Sequence, residues 1–236
     1  MRVTVAHHWR VSYSSCVSRW LLPIWVVIEF FAGLAVVLLC LFTPLAQTIL
    51  ARSARGNRPV LLVHGFGTLS GSMFVVGWHL ARAGFRPIAV GYNWLRPPEH
   101  AARRVAGRAA ELAAASKVAK VDVVAHSMGG LVARAARALP GGTAIGRIVT
   151  LGTPHRGEWW SRMPIGPMRA AMRPGSFGPG EDRDLAITSR ADHVIRWSRA
   201  TLDPPSTTLI FDGAGHAGLL LDPRAHRAAI AHLLLA

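Results

Sequence analysis

Val121-Asp122-Val123-Val124-Ala125-His126-Ser127-Met128-Gly129-Gly130-Leu131-Val132 is the stretch from which the rest of the chain can be read. Its first five residues predict a short buried strand, Ser127 sits on an abrupt turn, and a helix opens near Gly130 and runs to about Leu139. Gly-x-Ser-x-Gly is the signature of such a strand–serine–helix turn, with Ala125 here in the first glycine position. The turn is tight enough to strain the serine backbone and leave its hydroxyl exposed above the sheet. Residues two before and two after must be small, because strand and helix pass close together there. Gly129 meets this and Ala125 adds one methyl. The same letters also fit a plain Gly-Gly loop in which Ser127 caps the helix through its side chain.

Outward from this turn, apolar runs alternate with helical ones from Arg58 to the end. This pattern predicts an α/β fold with a mostly parallel sheet of about six strands flanked by helices. The expected strands are Val60–Val63, Pro87–Tyr92, Val121–Ala125, Arg147–Leu151, Leu185–Thr188 and Thr207–Phe211. The expected helices are Ser72–Ala83, Glu99–Ser116, Gly130–Leu139 and Arg224–Leu235, the second carrying Val105, Leu112 and Val118 as one apolar stripe.

Functional groups in such sheets gather at the carboxyl ends of strands. Those ends hold His64-Gly65-Phe66-Gly67, then Ser127, then Gly152-Thr153-Pro154-His155-Arg156-Gly157, then Ser189-Arg190-Ala191-Asp192, and last Gly213-Ala214-Gly215-His216. Serine, acid and histidine thus follow in the order Ser127, Asp192, His216. A serine hydroxyl becomes a nucleophile when an imidazole takes its proton, and that imidazole needs a carboxylate to fix its tautomer. The backbone N–H groups of Phe66 and Met128 are the expected donors to an oxyanion. Asp184, Asp203 and Asp212 are rival acids. Asp184 precedes its strand, Asp203 opens a Pro-Pro turn, and Asp212 is too near His216 to reach around its ring. His64, His126 and His155 are read as structural.

From about Pro59 onward the chain resembles the small lid-less bacterial triacylglycerol lipases and serine esterases of the α/β-hydrolase superfamily. The resemblance rests on Val63-His64-Gly65-Phe66-Gly67, Ala125-His126-Ser127-Met128-Gly129-Gly130, Leu151-Gly152-Thr153-Pro154-His155-Arg156-Gly157, and Gly215-His216-Ala217-Gly218-Leu219-Leu220 after Ala191-Asp192-His193-Val194-Ile195. It implies hydrolysis of lipid carboxylic esters through an acyl-enzyme, with no cofactor and no metal. Acyl transfer or thioester hydrolysis would use the same three residues, and a non-catalytic hydrolase-fold binding module is the rival from another class. Past the Thr153 turn, Trp159, Trp160, Met163, Ile165, Pro167, Met168 and Met172 form an apolar segment. It fits equally a helix packed on the core or a functional segment, either a wall of the acyl pocket or a surface that dips into lipid.

The 236 residues carry a net charge of +15, and 22 basic residues face 11 acidic ones from Arg58 onward. The arginines are scattered without interleaved aromatics, so no nucleic-acid footprint is expected; attraction to anionic lipid is a side effect. The expected organisation is a polar tail over residues 1–19, a transmembrane anchor over 20–50, a linker over 51–57 and a catalytic domain over 58–236. Phe30 to Leu50 runs 21 residues without a charge, enough to cross a bilayer. Glu29 falls near one end, where its cost is lower. Cleavage after Ala46 or Ala51 would put Pro44 or Ile49 where a small residue is wanted, so an uncleaved anchor is expected. Arg2, Arg10 and Arg19 balance Arg52, Arg55 and Arg58 across it. The expected location is the cell membrane, single-pass, with the catalytic domain extracytoplasmic and a lipid or small ester as substrate.

Overall fold

The computed structural model describes residues 22–53, 56–157, 181 and 183–235. Six parallel strands form one sheet: β1 (Arg58–Val63), β2 (Phe85–Val90), β3 (Val121–His126), β4 (Ile145–Leu151), β5 (Leu185–Ser189) and β6 (Thr207–Phe211), in the order β2-β1-β3-β4-β5-β6. The chain therefore leaves β1 toward one edge and returns to β3 on its other side. The carboxyl ends of β1 and β3 flank this reversal, where open α/β sheets bind ligands. The expected strands and helices are present, with ends shifted by a few residues.

Burial on both sheet faces explains the continuous apolar strands. Leu61, Val63, Val121, Val123, Ala125, Ile145 and Ile148 face α4 (Pro98–Ser116) and α5 (Met128–Arg137). Alanines 101, 102, 106, 109 and 113 line the buried side of α4 and let it sit close to the sheet. Val118 lies past the end of α4, because Lys117 takes a left-handed conformation there; it still packs against the same cluster. On the other face Val60, Leu62, Val124, Val149, Leu185 and Ile187 meet α3 (Phe74–Arg82) and α6 (Pro223–Leu234). Each fully buried Leu of these strands stabilises the fold by about 1.5–3 kcal/mol.

The N-terminal segment differs from a single span. Helix α1 (Leu22–Leu41) and helix α2 (Thr43–Ser53) meet at an angle of 83° at Phe42. Among the described residues no single helix is long and apolar enough to cross a membrane, although the bent pair together has the length and composition. The cause of the break is Pro44, which has no N–H to offer the Cys40 carbonyl one turn earlier. The Thr43 hydroxyl donates to that carbonyl instead, at 2.8 Å. Helix α2 extends through Ser53, into the expected linker, and belongs to the globular unit. Its Leu50 is buried with Leu62 against Gly77 of α3, where a β-carbon would come within 2.8–3.0 Å of both leucines. Gln47 donates to Ser70 Oγ at 2.9 Å. The outer side of α1 stays exposed, with Phe30, Phe31, Leu34, Val37, Leu38 and Leu41 uncovered.

One buried group of α6 sets an acid limit on stability. His226 is 1% exposed, its Nε2–H donates to the Leu220 carbonyl at 3.0 Å, and Nδ1 has no partner. Burial, helped by the neighbouring His79, pushes its pKa down to about 4. The folded form thus binds fewer protons than the unfolded one between about pH 6.5 and 4, so stability is full above that window and falls as the pH drops through it. A loss of about 3 kcal/mol from this group is expected across the window. Urea midpoints at pH 7, 5.5 and 4 measure it, and His226→Gln, which keeps a donor to Leu220, should flatten the slope. An unchanged slope in that variant would assign the acid sensitivity elsewhere.

Candidate active site

Ser127 has φ +52° and ψ −127°, and its side chain makes no capping hydrogen bond to α5. A non-glycine residue held there costs about 1–3 kcal/mol and persists only because the surroundings fix it. Those surroundings are visible. The Ser127 N–H donates to the Leu151 carbonyl at 2.8 Å, and its own carbonyl accepts from Gly130 N–H at 3.0 Å and Thr153 Oγ1 at 2.8 Å. Both glycines after the serine are required by contact. A β-carbon on Gly129 would lie 2.4 Å from the His64 carbonyl oxygen, and one on Gly130 would lie 2.2 Å from Thr153 Oγ1. The capping alternative for Ser127 is therefore not what the fold uses.

The last two strand ends bring His216 and Asp192 together. His216 Nδ1 lies 2.8 Å from Asp192 Oδ2, and the carboxylate is fully buried. Its other oxygen accepts N–H bonds from Val194 (2.9 Å) and Ile195 (2.8 Å), so the acid is held on both sides. An ionised carboxylate there takes the Nδ1–H of the neutral ring and leaves Nε2 as a base. Gly152, with φ +58°, makes room for this pair, since a β-carbon would sit 3.1–3.2 Å from both. The rival acids are engaged elsewhere. Asp184, 1% exposed, forms a two-point pair with Arg137 at 2.7 and 2.8 Å and also takes the Ile148 N–H. Asp203 pairs with Arg156, and Asp212 with Arg190 at 3.2 Å.

Three further histidines brace these loops. His126 is buried, and burial with the nearby His216 holds its pKa well below the ordinary value. Its neutral ring can donate Nε2–H to the His216 carbonyl at 3.1 Å, which ties the serine strand to the histidine loop. His64 donates Nδ1–H to the Gly65 carbonyl at 2.9 Å and stacks on Tyr92, whose hydroxyl donates to the His64 carbonyl at 2.6 Å. His155 accepts from Arg134 at Nδ1 (3.0 Å), so its Nε2–H points to Thr150 Oγ1 (2.9 Å). Met128 is the first residue of α5, where backbone N–H groups lack helical acceptors and the helix dipole favours negative charge. Phe66 lies across the switch point in the β1 loop, just before Gly67 at φ +68°, its ring edge-on to Trp94 at 4.7 Å.

This fold recurs in solved structures. A Bacillus licheniformis lipase in its mature form superposes with a TM-score of 0.64 at 16% identity, over 77% of this chain and 94% of that one. The chain has the α/β-hydrolase fold. A serine hydrolase without a lid from Xanthomonas campestris gives 0.58 at 13% identity, over 77% and 84% of the two chains. For Aspergillus fumigatus lipase B the values are 0.59 and 17%, over 73% of this chain and 51% of that one. A family model described as a PGAP1-like alpha/beta domain matches residues 110–161, which hold β3, Ser127 and β4. No curated protein matches the sequence.

On this hydrolase fold, one polar residue at the site escaped the sequence reading. Glu29 of α1 reaches the histidine loop, where its carboxylate accepts N–H bonds from Ala217 (2.5 Å) and Gly218 (3.2 Å). The signal was present: a lone carboxylate beside an uncharged apolar run. Beside it an apolar groove of about 530 Å³ opens between α1 (Ile28, Phe31, Ala32) and the loop Gly213–Gly215, with Arg224 at its rim. The Trp159–Met172 segment lies outside the described residues. Among the described residues, no cluster of three or more His, Cys, Asp or Glu side chains could hold a metal ion.

Proposed function

We propose that the protein is a serine hydrolase that cleaves carboxylic esters of lipids. Ser127 attacks the ester carbonyl, His216 takes its proton, and Asp192 fixes the imidazole and stabilises its charged form. The N–H groups of Phe66 and Met128 hold the oxyanion, each contributing a few kcal/mol to lowering the barrier. The alcohol leaves with the proton from His216, and water activated by the same ring then releases the acid from Ser127. The observation that carries this reading is a strained serine with an uncapping side chain on the same sheet edge as a histidine bonded to a buried carboxylate. The likeness in fold to lipases and a lid-less serine hydrolase supports the ester as substrate class.

Attachment to the bilayer belongs to the same proposal. The exposed apolar side of α1 suits contact with the hydrocarbon of a bilayer, which would keep the site beside substrates that partition there. The segment 20–50 would then hold the protein on the membrane at an 83° bend, with the site on the extracytoplasmic face.

A fluorophosphonate probe tests the chemistry. A stoichiometric adduct on Ser127 is expected under native conditions, and none on denatured protein. The same preparation should hydrolyse a dispersed triglyceride or a short-chain ester faster than it transfers acyl groups to an added alcohol or thiol. It should also sediment with liposomes. Absence of the Ser127 adduct would favour a non-catalytic binding module, and preferential transfer would favour an acyltransferase.

A further inference from the structure

Helix α1 meets the proposed site at two places. Near its start, Glu29 accepts the N–H groups of the two residues that follow His216. Near its end, Cys40 Sγ accepts the Leu69 N–H at 3.2 Å, and Thr43 Oγ1, at the head of α2, accepts that of Gly71 at 3.2 Å, both in the loop that carries Phe66. Cys40 lies eleven positions after Glu29, about 16 Å along the helix. One rigid element thus touches the loop of the base and the loop of the oxyanion donor.

The contact at Glu29 is built by the sequence on both sides. A β-carbon on Gly215 would lie 2.0 Å from Glu29 Oε2, and one on Gly218 would lie 3.2 Å away, so both glycines leave space for the carboxylate. The turn it caps, Gly218–Leu220, begins two residues after His216, and the N–H groups at its start have no acceptor within the turn. A carboxylate is a stronger acceptor for such groups than a neutral oxygen. On its opposite side the loop is held by His126, which bonds the His216 carbonyl at 3.1 Å. Between these two supports the imidazole has its Nδ1 fixed on Asp192.

We infer that Glu29 is a positioning residue for the base: by capping the Ala217 and Gly218 N–H groups it fixes the backbone from which His216 projects. This rests on the catalytic reading of Ser127 and His216 given above. It assigns a role in chemistry to a segment otherwise legible only as a membrane attachment. It also gives a role to the one carboxylate of a helix, Leu22–Leu41, that otherwise carries no charge.

The test is steady-state kinetics of full-length Glu29→Ala and Glu29→Gln on a soluble short-chain ester, with melting temperatures measured in parallel. A displaced base costs turnover more than binding, so kcat of E29A is expected to fall about 10- to 100-fold with KM within about twofold. E29Q retains one neutral acceptor of similar reach and should fall between E29A and wild type, which also provides the reading if E29A does not fold. A kcat within twofold of wild type in the folded variants, whatever their melting temperature, would overturn the inference while leaving the triad untouched. A loss carried by KM alone would do the same. Wild-type protein that neither turns over esters nor labels at Ser127 would instead bring down the proposed function itself.

Discussion

Replacing Ser127 by alanine is expected to lower ester turnover by at least about ten-thousand-fold, with the melting temperature within a few degrees of wild type. The size follows from the role proposed for the hydroxyl. Without it no acyl-enzyme forms, and what remains is the weak catalysis that oxyanion donors and binding provide to water. A second substitution at the same position separates chemistry from folding. Ser127 sits at φ +52°, where a β-carbon is strained and glycine is not. Ser127→Gly should therefore be as inactive as the alanine variant yet more stable, by about 1 kcal/mol once glycine's extra unfolded-state entropy is subtracted. In a chain of this size that corresponds to a rise of about 2–4 °C in Tm. Retention of a tenth of wild-type turnover by either variant would remove Ser127 from the mechanism. A drop in stability for the glycine variant would mean that the elbow is not under the strain its dihedral angles imply.

Asp192→Asn is expected to produce the second largest loss, about 100- to 10,000-fold in kcat with little change in KM. The asparagine oxygen can still accept the N–H groups of Val194 and Ile195, so the loop keeps its shape. Its amide nitrogen, however, would face His216 Nδ1 at the 2.8 Å contact and donate where the carboxylate had accepted. The ring would then carry its proton on Nε2 and could not take one from Ser127. Asp203→Asn and Asp212→Asn are the controls. Both acids are at least a third exposed and pair with surface arginines, so each should stay within about twofold of wild type. If either control proves as damaging as D192N, the acid has been assigned to the wrong strand end. Asp184→Asn belongs to a different class. It breaks the buried pair with Arg137 and should lower stability before it touches turnover.

The parts of the site that could be read from the sequence are those governed by short-range rules. The small residues around Ser127 report a backbone crossing that any larger side chain would block, and the contact distances at Gly129 and Gly130 show the block directly. Strand positions follow from apolar runs, and a place after β5 rather than before it favours Asp192 over Asp184. Against Asp203 the sequence offers only the Pro204-Pro205 turn that follows it. That choice became visible when the loop after β5 folded back to donate two N–H groups to Asp192, while Asp203 turned outward to Arg156. The N-terminal segment shows the opposite case. Hydropathy over Phe30–Leu50 reads as a single span, yet Pro44 breaks it, and α2 turns onto the sheet because Leu50 finds Leu62 and Gly77 there.

Chain order, hydrophobic period and the serine turn were enough to determine a parallel sheet with Ser127, Asp192 and His216 at its carboxyl edge, because each depends on residues within a turn or a strand of one another. Tertiary structure alone decided which carboxylates serve which loops, and most of all that Glu29 meets the backbone beyond His216. That contact joins residues 188 and 189 positions apart. Such a pairing leaves no periodic trace in sequence, since it arises where α1 packs against the turns Ser70–Met73 and Gly218–Leu220 and where two glycines make room for one carboxylate.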